Sequence, residues 1–521
     1  MRKMKRFFAM LLCMCTLATV TACGGNNATQ TNESGKKDSI TVSLGGNVTT
    51  LDPVSSNLAV NQMLGNVCMS TLVDFDENWN VVPNLAESWT ISDDALTYTF
   101  KLRDDIKFHS GDTMTAEDVV FSVNRCMESS FTQTDWQYCD GAEALNDSEV
   151  NIYLNTPYTA FLAIMAKTLF IHNQSYYEEY LAAGHTDEEY QMNIDGTGPY
   201  KFVSYEDGVS IEFEAFSDFY KGEPAIKHWY GKIITDDNAR AMAIEAGDID
   251  LIEPHTTVPS SNMELLKSLD NIIVEKTDFE KVGSIVINNE IEPFNNKLVR
   301  KALAYAIDYD WLIEVTANGD ASPAECAYLG HKTVGFSTAD TITHYTYDPE
   351  KAKDLLAEAG YPNGEGIPTV VATIAENRKS IMEVVQACWA ELGINVEFNI
   401  MESGVVLSEV RGGNFTVGVV FNNCMADASM YNTYYTEESI GASNMARYIN
   451  QDLINKMTVA AAELEPEVRQ TEFDEIWSII TEVPVIWIYS QAADMIYAKG
   501  LHVGGTYPTQ SVVRYEDMYW E

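Results

Sequence analysis

The residue types that could do chemistry are scattered along this chain. Its eight histidines form no His-Glu-x-x-His pair, and no Gly-x-Ser-x-Gly sequence provides a nucleophile. Gly196-Thr197-Gly198 begins like a dinucleotide-binding loop, but Lys201 stands where the third glycine is needed. With 77 acidic residues, carboxylate pairs are common by composition, and no pair stands out as a general acid and base. These patterns give no support to an enzyme, and we expect no cofactor.

One stretch resembles the start of a calcium-binding loop. Asp74, Asp76 and Asn78 have the alternate spacing of such a loop. Trp79, however, occupies the position that requires glycine, and Leu85 the position of the bidentate acid. We therefore expect no metal site here.

The elements that must position any site can be predicted from local patterns. Residues 96–103 and 210–215 alternate apolar and polar side chains, which is typical of half-buried strands. Thr115, with Asp118 three residues later, predicts a capping box. Val119, Val120 and Val123 then give the following helix an apolar face.

The second half of the chain shows the same alternation. Apolar residues at helical spacing predict a helix over residues 297–315. Asp348-Pro349-Glu350 predicts the start of another helix, which ends at Gly360. A helix over 379–392 leads into a strand over 394–400. Interspersed helices and strands indicate an α/β fold, and the lack of an obvious linker suggests lobes made from discontinuous segments.

Length and composition limit the classes of protein and partner. The chain has 521 residues, of which 46% are hydrophobic, enough for more than one lobe with its own core. The formal net charge is −44. So acidic a surface repels phosphate backbones, which argues against nucleic acid as a partner.

The amino terminus has the layout of an export signal. A basic start is followed by an apolar stretch over residues 7–18, too short to span a membrane. Val20-Thr21-Ala22-Cys23 resembles a bacterial lipobox, which predicts a signal peptide over 1–22 and a lipid on Cys23. Residues 23–38 are polar and predict a flexible linker. The alternative is a plain secretory signal with an incidental cysteine.

Six cysteines remain after the signal peptide and Cys23. They are Cys68, Cys126, Cys139, Cys326, Cys388 and Cys424. No Cys-x-x-Cys pair occurs, so neither a zinc ribbon nor a thioredoxin-type redox site is encoded. An even number of cysteines in an extracellular protein permits disulfides. We favour the interpretation that these cysteines are buried free thiols.

Four successive segments carry a family resemblance. Their order along the chain resembles the signature of the family 5 extracellular solute-binding proteins; the segments are residues 83–89, 96–103, 108–112 and 115–122. These proteins are the peptide- and nickel-binding receptors of ABC importers. Further similar blocks are 51–53, 196–200, 246–250, 299–308 and 444–448.

The resemblance implies a two-lobed α/β fold of the periplasmic-binding-protein type (type II, cluster C) with an extra inserted subdomain. The implied ranges are lobe I over 39–75, 195–283 and 490–521, the insert over 76–194, and lobe II over 284–489. Crossing strands would join the lobes, and a ligand enclosed between them would favour closure about a hinge.

The resemblance also implies a ligand anchor. In peptide-binding members, an Asp after a short strand pairs with the α-ammonium of the ligand, and Asp427 takes that position here. Cys424 stands where the family has Trp, and Met430-Tyr431 where it often has an acid-Pro pair, so the pocket differs from the common one. A solvated loop acid is the alternative for Asp427.

Other residues are expected to line the pocket through the same resemblance or through their chemistry. They are Asn422, Asn423, Tyr431, Tyr434, Trp136, Ser55 and Asn57, each of which can also be explained by ordinary packing or turn chemistry. The arginine that binds the ligand carboxylate in some peptide receptors is not assigned; the candidates are Arg378, Arg411 and Arg447.

We therefore expect a monomeric receptor, lipid-anchored on the extracellular face of the cell membrane (the periplasmic side where an outer membrane exists). It would deliver a peptide to the permease and ATPase of an ABC importer. Same-family receptors for a nickel chelate, haem or a glycan stay open as alternatives, as does a surface sensor without transport.

Overall fold

The computed structural model describes residues 37–256, 258–325, 327–481, 483–507 and 512–521. The predicted signal peptide, Cys23 and nearly all of the predicted linker lie outside the described residues. Among the helices in these ranges, none has the length and apolar character needed to cross a membrane. We use lobe I, insert and lobe II for the ranges given above.

The strands are β1 (Ser39–Leu44), β2 (Val73–Phe75), β3 (Val81–Pro83), β4 (Ala86–Ile91), β5 (Thr97–Leu102), β6 (Cys139–Asn146), β7 (Glu149–Leu154), β8 (Tyr200–Glu206), β9 (Ser210–Ala215), β10 (His228–Ile233), β11 (Leu251–Ile252), β12 (Ile272–Ile287), β13 (Val370–Ala375), β14 (Val396–Met401), β15 (Val417–Asn423), β16 (Val485–Ala498), β17 (Leu501–His502), β18 (Thr506–Tyr507), β19 (Val512–Val513) and β20 (Tyr519–Trp520).

The α-helices are α1 (Ala59–Cys68), α2 (Ala116–Glu128), α3 (Phe161–Thr168), α4 (Gln174–Ala182), α5 (Asp187–Tyr190), α6 (Asp237–Ala246), α7 (Ser260–Ser268), α8 (Lys297–Tyr305), α9 (Tyr309–Ala317), α10 (Pro349–Glu358), α11 (Lys379–Ala390), α12 (Ser403–Gly412), α13 (Gln451–Ala462) and α14 (Pro466–Ile480).

Two long antiparallel strands, β12 and β16, hold the molecule together. They lie in the middle of a ten-stranded sheet with the order β14-β13-β15-β12-β16-β11-β1-β10-β9-β8. Their pairing extends from Ile272 opposite Ala498 to Val286 opposite Val485, with irregularities between Lys276 and Glu280 and between Gly283 and Ser284. The predicted boundaries between lobes I and II fall inside these two strands.

In lobe II, β13, β14 and β15 run parallel to one another. Helix α11 connects β13 to β14, and α12 connects β14 to β15. One apolar core packs α8, α9, α10 and α11 against this part of the sheet. In lobe I, β1 runs parallel to β10 and to β11 and belongs to a separate core.

The insert contains a four-stranded sheet with the order β4-β5-β7-β6, against which α2 packs. Its core is continuous with apolar residues of lobe II, including Tyr328 and Tyr431. Hydrogen bonds also join the two parts: the Tyr158 hydroxyl donates to the carbonyl of Ser429 (3.1 Å), and the Thr159 N–H to the carbonyl of Ala461 (2.8 Å). Insert and lobe II are therefore in direct contact.

The fold is the two-lobed α/β architecture that the resemblance implied, and most local predictions agree with it. The Thr115–Asp118 capping box is present, and residues 210–215 form β9. The single helix predicted over 297–315 is wrong, because the chain forms α8 and α9 instead. The Asp308 side chain accepts the N–H of Trp311 and so caps the start of the second helix.

Five of the six cysteines that follow Cys23 lie in the described part and are free and buried: Cys68, Cys126, Cys139, Cys388 and Cys424. The sixth, Cys326, lies outside the described residues. Burial raises the pKa of the Cys139 thiol to about 11 and that of Cys68 to about 12. The raised pKa favours the protonated thiol, which is a weaker nucleophile than the thiolate.

The glycines of the Gly196-Thr197-Gly198 sequence have a packing role. The chain passes so close to Cys68 that a Cβ on Gly198 would lie 2.4 Å from the Cys68 carbonyl carbon. The N–H of Gly198 donates to that carbonyl at 3.1 Å. Because backbone atoms cannot move aside as a side chain can, this position requires glycine.

We predict that Gly198→Ala lowers the free energy of unfolding by at least about 3 kcal/mol, because the new methyl group collides with backbone. Urea unfolding followed by circular dichroism measures the change. Gly46→Ala is the control, since its Cβ would meet its nearest neighbour, Val60, at 3.8 Å. Equal stability of the two variants would contradict the prediction.

Candidate functional site

The candidate site lies where the parallel strands of lobe II end. Strands β13, β14 and β15 have their carboxyl ends at the same edge of the sheet, next to the crossing strands β12 and β16. In open parallel sheets, ligands bind in the crevice outside the carboxyl ends of the strands. Arg378 follows β13 within this edge, and the sequence from Asn422 to Asp427 follows β15.

Arg378 is a partly buried cation at this edge of the sheet. It ends a 3-10 turn, Glu376–Arg378, directly before α11. Its guanidinium carbon lies 4.2 Å from the centroid of the Phe421 ring, a cation–π contact. No carboxylate of the described residues is paired with it, and burial lowers its pKa. This group is suited to bind an anion.

Strand register places further side chains beside Arg378. Lys281 pairs with Asn423 of β15 and with Gln491 of β16, and Gly283 pairs with Phe421 and Tyr489. Side chains two residues apart point to the same face of a strand, so these residues share one face. A Cβ on Gly283 would lie 2.7 Å from the Phe421 ring, so glycine leaves room for that ring.

We call Lys281, Arg378, Phe421, Asn423 and Tyr489 the Arg378 site. The rings of Phe421 and Tyr489 are 5.4 Å apart and edge to face. Burial lowers the pKa of Lys281, and the positive charge of Arg378 lowers it further. Arg378, together with two rings and an amide, can bind a carboxylate next to an apolar group.

Three of the predicted residues meet on the other face of the sheet. Tyr431 and Tyr434 pack their rings on Tyr328, with centroids 5.7 and 5.5 Å away. The hydroxyl of Tyr434 donates to Oδ1 of Asn422 at 3.5 Å. The cavity between Tyr434, Asn422 and their neighbours measures about 10 Å³, room for one water molecule. In this conformation the cluster is packed and holds no ligand-sized space.

Asp427, the predicted anchor for a ligand ammonium, is 5% exposed and already paired. Arg469 donates to both of its carboxylate oxygens, at 2.7 Å each, and the N–H of Ser429 donates to Oδ1 at 2.9 Å. The ammonium-anchor role of Asp427 stays a prediction, and in this structure Arg469 neutralises the carboxylate. Sequence reasoning missed Arg469, which lies 42 residues further along on α14.

Trp136, Ser55 and Asn57 lie apart from these groups. Trp136 is 1% exposed in the core of the insert, and its indole N–H donates to the hydroxyl of Thr168 at 3.0 Å. Ser55, in lobe I, donates its hydroxyl to Oδ2 of Asp52 at 2.8 Å, and Asn57 is exposed. Within the described ranges, no hydrogen bond connects Ser55 or Asn57 to lobe II.

Two larger cavities lie on either side of residues 331–336. One, of about 320 Å³, borders β12 and β16, and the other, of about 470 Å³, borders α14. Charged side chains of the first are already paired with one another. Lys276 binds Asp320 at 2.6 Å, and His331 binds Glu280 at 3.1 Å, which raises the pKa of the histidine.

The other two candidate arginines are less suited than Arg378. Arg447 pairs with Glu290 at 3.3 Å and also donates to the carbonyl of Arg411 at 3.2 Å. Arg411 is exposed on α12. Of the three candidates, Arg378 alone combines partial burial, an aromatic neighbour and the strand-end position.

Comparisons with known proteins agree with this fold. The chain is 28% identical over 488 residues to the glutathione-binding protein GsiB of Pectobacterium atrosepticum, with 90% of this chain and 91% of the relative covered. It is 31% identical over 410 residues to heme-binding protein A of Haemophilus influenzae, with 73% and 74% covered.

A solved structure, the periplasmic binding protein DppA of Helicobacter pylori in complex with the peptide STSA, matches with a TM-score of 0.79 at 24% identity. The match covers 93% of this chain and 98% of that one. The model of the bacterial extracellular solute-binding proteins, family 5, matches residues 80–441, which is more than half of the chain. On this evidence the chain belongs to family 5 of the bacterial extracellular solute-binding proteins, a family of binding proteins and not of enzymes.

Proposed function

We propose that this protein is a lipid-anchored receptor of an ABC importer that captures a short peptide between its lobes and delivers it to the permease. Family membership supports a binding role, and the relatives named for glutathione and the structure holding a peptide support a peptide ligand. The observation that carries the proposal is Arg378, which has no acidic partner among the described residues and lies beside aromatic rings at the carboxyl-end edge of the lobe II strands.

In this proposal, Arg378 binds the carboxylate of the peptide. Its planar guanidinium can donate two parallel hydrogen bonds to a carboxylate, which gives orientation as well as affinity. Phe421 and Tyr489 supply an apolar surface for the adjoining side chain, and Asn423, which is exposed at the end of β15, supplies amide groups for the peptide backbone.

A second candidate is a haem or a nickel chelate, which the similarity to a heme-binding protein favours. Among the described residues, no three His, Cys, Asp or Glu side chains are grouped as a metal site. Such a ligand would therefore have to be recognised through its organic part. Arg378 would again bind the carboxylates of the ligand.

We predict that Arg378→Ala weakens binding of the peptide Ser-Thr-Ser-Ala, or of glutathione, by about tenfold to a hundredfold, because a charge-assisted bidentate contact is lost. Isothermal titration calorimetry on the mature protein measures this. Arg378→Lys should recover part of the affinity, since the positive charge remains but the planar group with two parallel N–H donors is lost. Arg411→Ala is the control, and a larger loss there than in Arg378→Ala would refute the assignment.

We predict that ligand binding closes the lobes about β12 and β16. Only these two long strands continue through both parts of the main sheet in the described structure, and their pairing is irregular between Lys276 and Glu280. Small-angle X-ray scattering should show a smaller radius of gyration with saturating ligand than without it. The Arg378→Ala variant at the same ligand concentration is the control, and an unchanged radius for the native protein at saturation would exclude closure.

We predict that Cys23→Ala releases the protein from the membrane, because the resemblance of residues 20–23 to a lipobox places the lipid on this thiol. Cell fractionation followed by immunoblotting measures the distribution, and labelling with radioactive palmitate detects the lipid. Cys13→Ala, within the signal peptide, is the control. A native protein that carries no label would disprove the anchor.

A further inference from the structure

We propose that the cavity of about 470 Å³ beside α14 is a separate subsite, which holds a large apolar side chain on the first residue of the captured peptide. We call it the α14 cavity. None of the five residues of the Arg378 site is among the described residues that line it. This inference rests on the proposed function, because it names the class of peptide that the receptor selects.

The size of the α14 cavity suits a ligand group. Ligand pockets in proteins measure about 300 to 1,000 Å³, and this cavity lies within that range. The cavity beside Tyr434, by contrast, has room for one water molecule. The α14 cavity therefore has space for a side chain as large as that of phenylalanine, together with the backbone next to it.

The walls of the α14 cavity carry apolar groups that are still open to solvent. Val334 is 45% exposed and Leu464 is 47% exposed, and both line the cavity. Rings and a proline complete the apolar part of the wall: Phe336, Phe473 and Pro466. An apolar side chain that covers these groups removes apolar surface from water on both partners, which favours binding.

Six polar side chains of the described residues also line the α14 cavity, and each already has a partner within the chain. Arg469 donates to both oxygens of Asp427, and Gln470 donates to the carbonyl of Phe336 at 3.1 Å. The other four bind a backbone group or an acid: Thr159 binds the carbonyl of Ala461, Thr333 the carbonyl of Met425, Glu463 the N–H of Glu465, and His331 the carboxylate of Glu280.

This internal pairing decides which occupant the α14 cavity favours. A charged side chain that entered it would lose its water and compete with contacts that the protein has already made, and this costs free energy. An uncharged apolar side chain leaves those contacts intact. The cavity therefore selects for apolar and against charged groups.

The position of the α14 cavity connects it to the amino end of a peptide. Val334, in its wall, forms a β-bridge with Asp427, and the N–H of Val334 donates to the carbonyl of Ala426 at 2.8 Å. The wall is thus fixed to the segment that carries Asp427, the predicted anchor for the ligand ammonium. The side chain closest to an ammonium bound there is that of the first residue of the peptide.

The α14 cavity is also built from both moving parts of the molecule. Thr159 belongs to the insert, and the insert is tied to lobe I because Arg125 donates to Asp52 at 2.5 Å. The rest of the wall belongs to lobe II. A side chain in this cavity touches both parts at once, and it therefore stabilises the closed arrangement over the open one.

The test compares four tripeptides by titration calorimetry on the mature protein: Ala-Ala-Ala, Phe-Ala-Ala, Lys-Ala-Ala and Ala-Ala-Phe. We expect Phe-Ala-Ala to bind at least about tenfold more tightly than Ala-Ala-Ala, because burial of the ring adds apolar contact. Lys-Ala-Ala should bind within about threefold of Ala-Ala-Ala or more weakly. Lys-Ala-Ala binding more tightly than Phe-Ala-Ala would overturn the inference.

A variant that fills the α14 cavity assigns the effect to this place. Leu464→Trp should weaken binding of Phe-Ala-Ala to about the level of Ala-Ala-Ala, while Ala-Ala-Ala and Ala-Ala-Phe keep their affinities within about threefold. Unchanged binding of Ala-Ala-Ala also shows that the variant is folded. Val468→Trp is the matched control: Val468 is 49% exposed on α14, is not among the described residues that line the cavity, and should change none of these affinities.

These measurements separate the two proposals. If none of the four peptides binds, the peptide function fails, and with it the inference about the side chain. If Phe-Ala-Ala and Ala-Ala-Ala bind equally, or if Leu464→Trp leaves the advantage of Phe-Ala-Ala unchanged, the inference fails while the peptide function stands. An advantage of Phe-Ala-Ala that Leu464→Trp removes and Val468→Trp retains supports it.

Discussion

The pairing of β12 with β16 is the constraint on which the rest of the molecule depends. The two strands join the part of the sheet built from lobe I to the part built from lobe II. Their register also decides which side chains share a face, because a shift by one residue would move Lys281 and Gly283 to the opposite face. The same hydrogen bonds therefore hold the lobes together and assemble the Arg378 site.

Electrostatic compensation explains much of the remaining organisation. In this acidic chain, two arginines are paired with buried acids, Arg125 with Asp52 and Arg469 with Asp427. The pairing with Arg125 and His172 holds the pKa of the Asp52 carboxyl well below its usual value despite complete burial. Arg378 lies on an aromatic ring instead, so its charge is available to an anion.

How much could be predicted depended on the range of the interaction. Caps and single strands were predicted correctly because their signals lie within a few residues, as for Thr115 with Asp118. The break between α8 and α9 was missed, because apolar spacing continues across it while Asp308 starts a new helix. In the site, Arg378 and Asn423 were among the candidates, but Lys281 and Tyr489 were not, since strand register alone brings them there.

The sequence by itself determined the family, the two-lobed α/β fold and the acidic character of the chain, because ordered motifs, periodicity and composition are properties of the linear chain. The tertiary structure alone decided the partner of each charge. Asp427 and Arg469 are 42 residues apart, and Arg378 contacts Phe421 from a different strand end. Whether a charged group is neutralised or left for a ligand depends on distances of a few ångströms, and folding sets these distances between residues far apart in sequence.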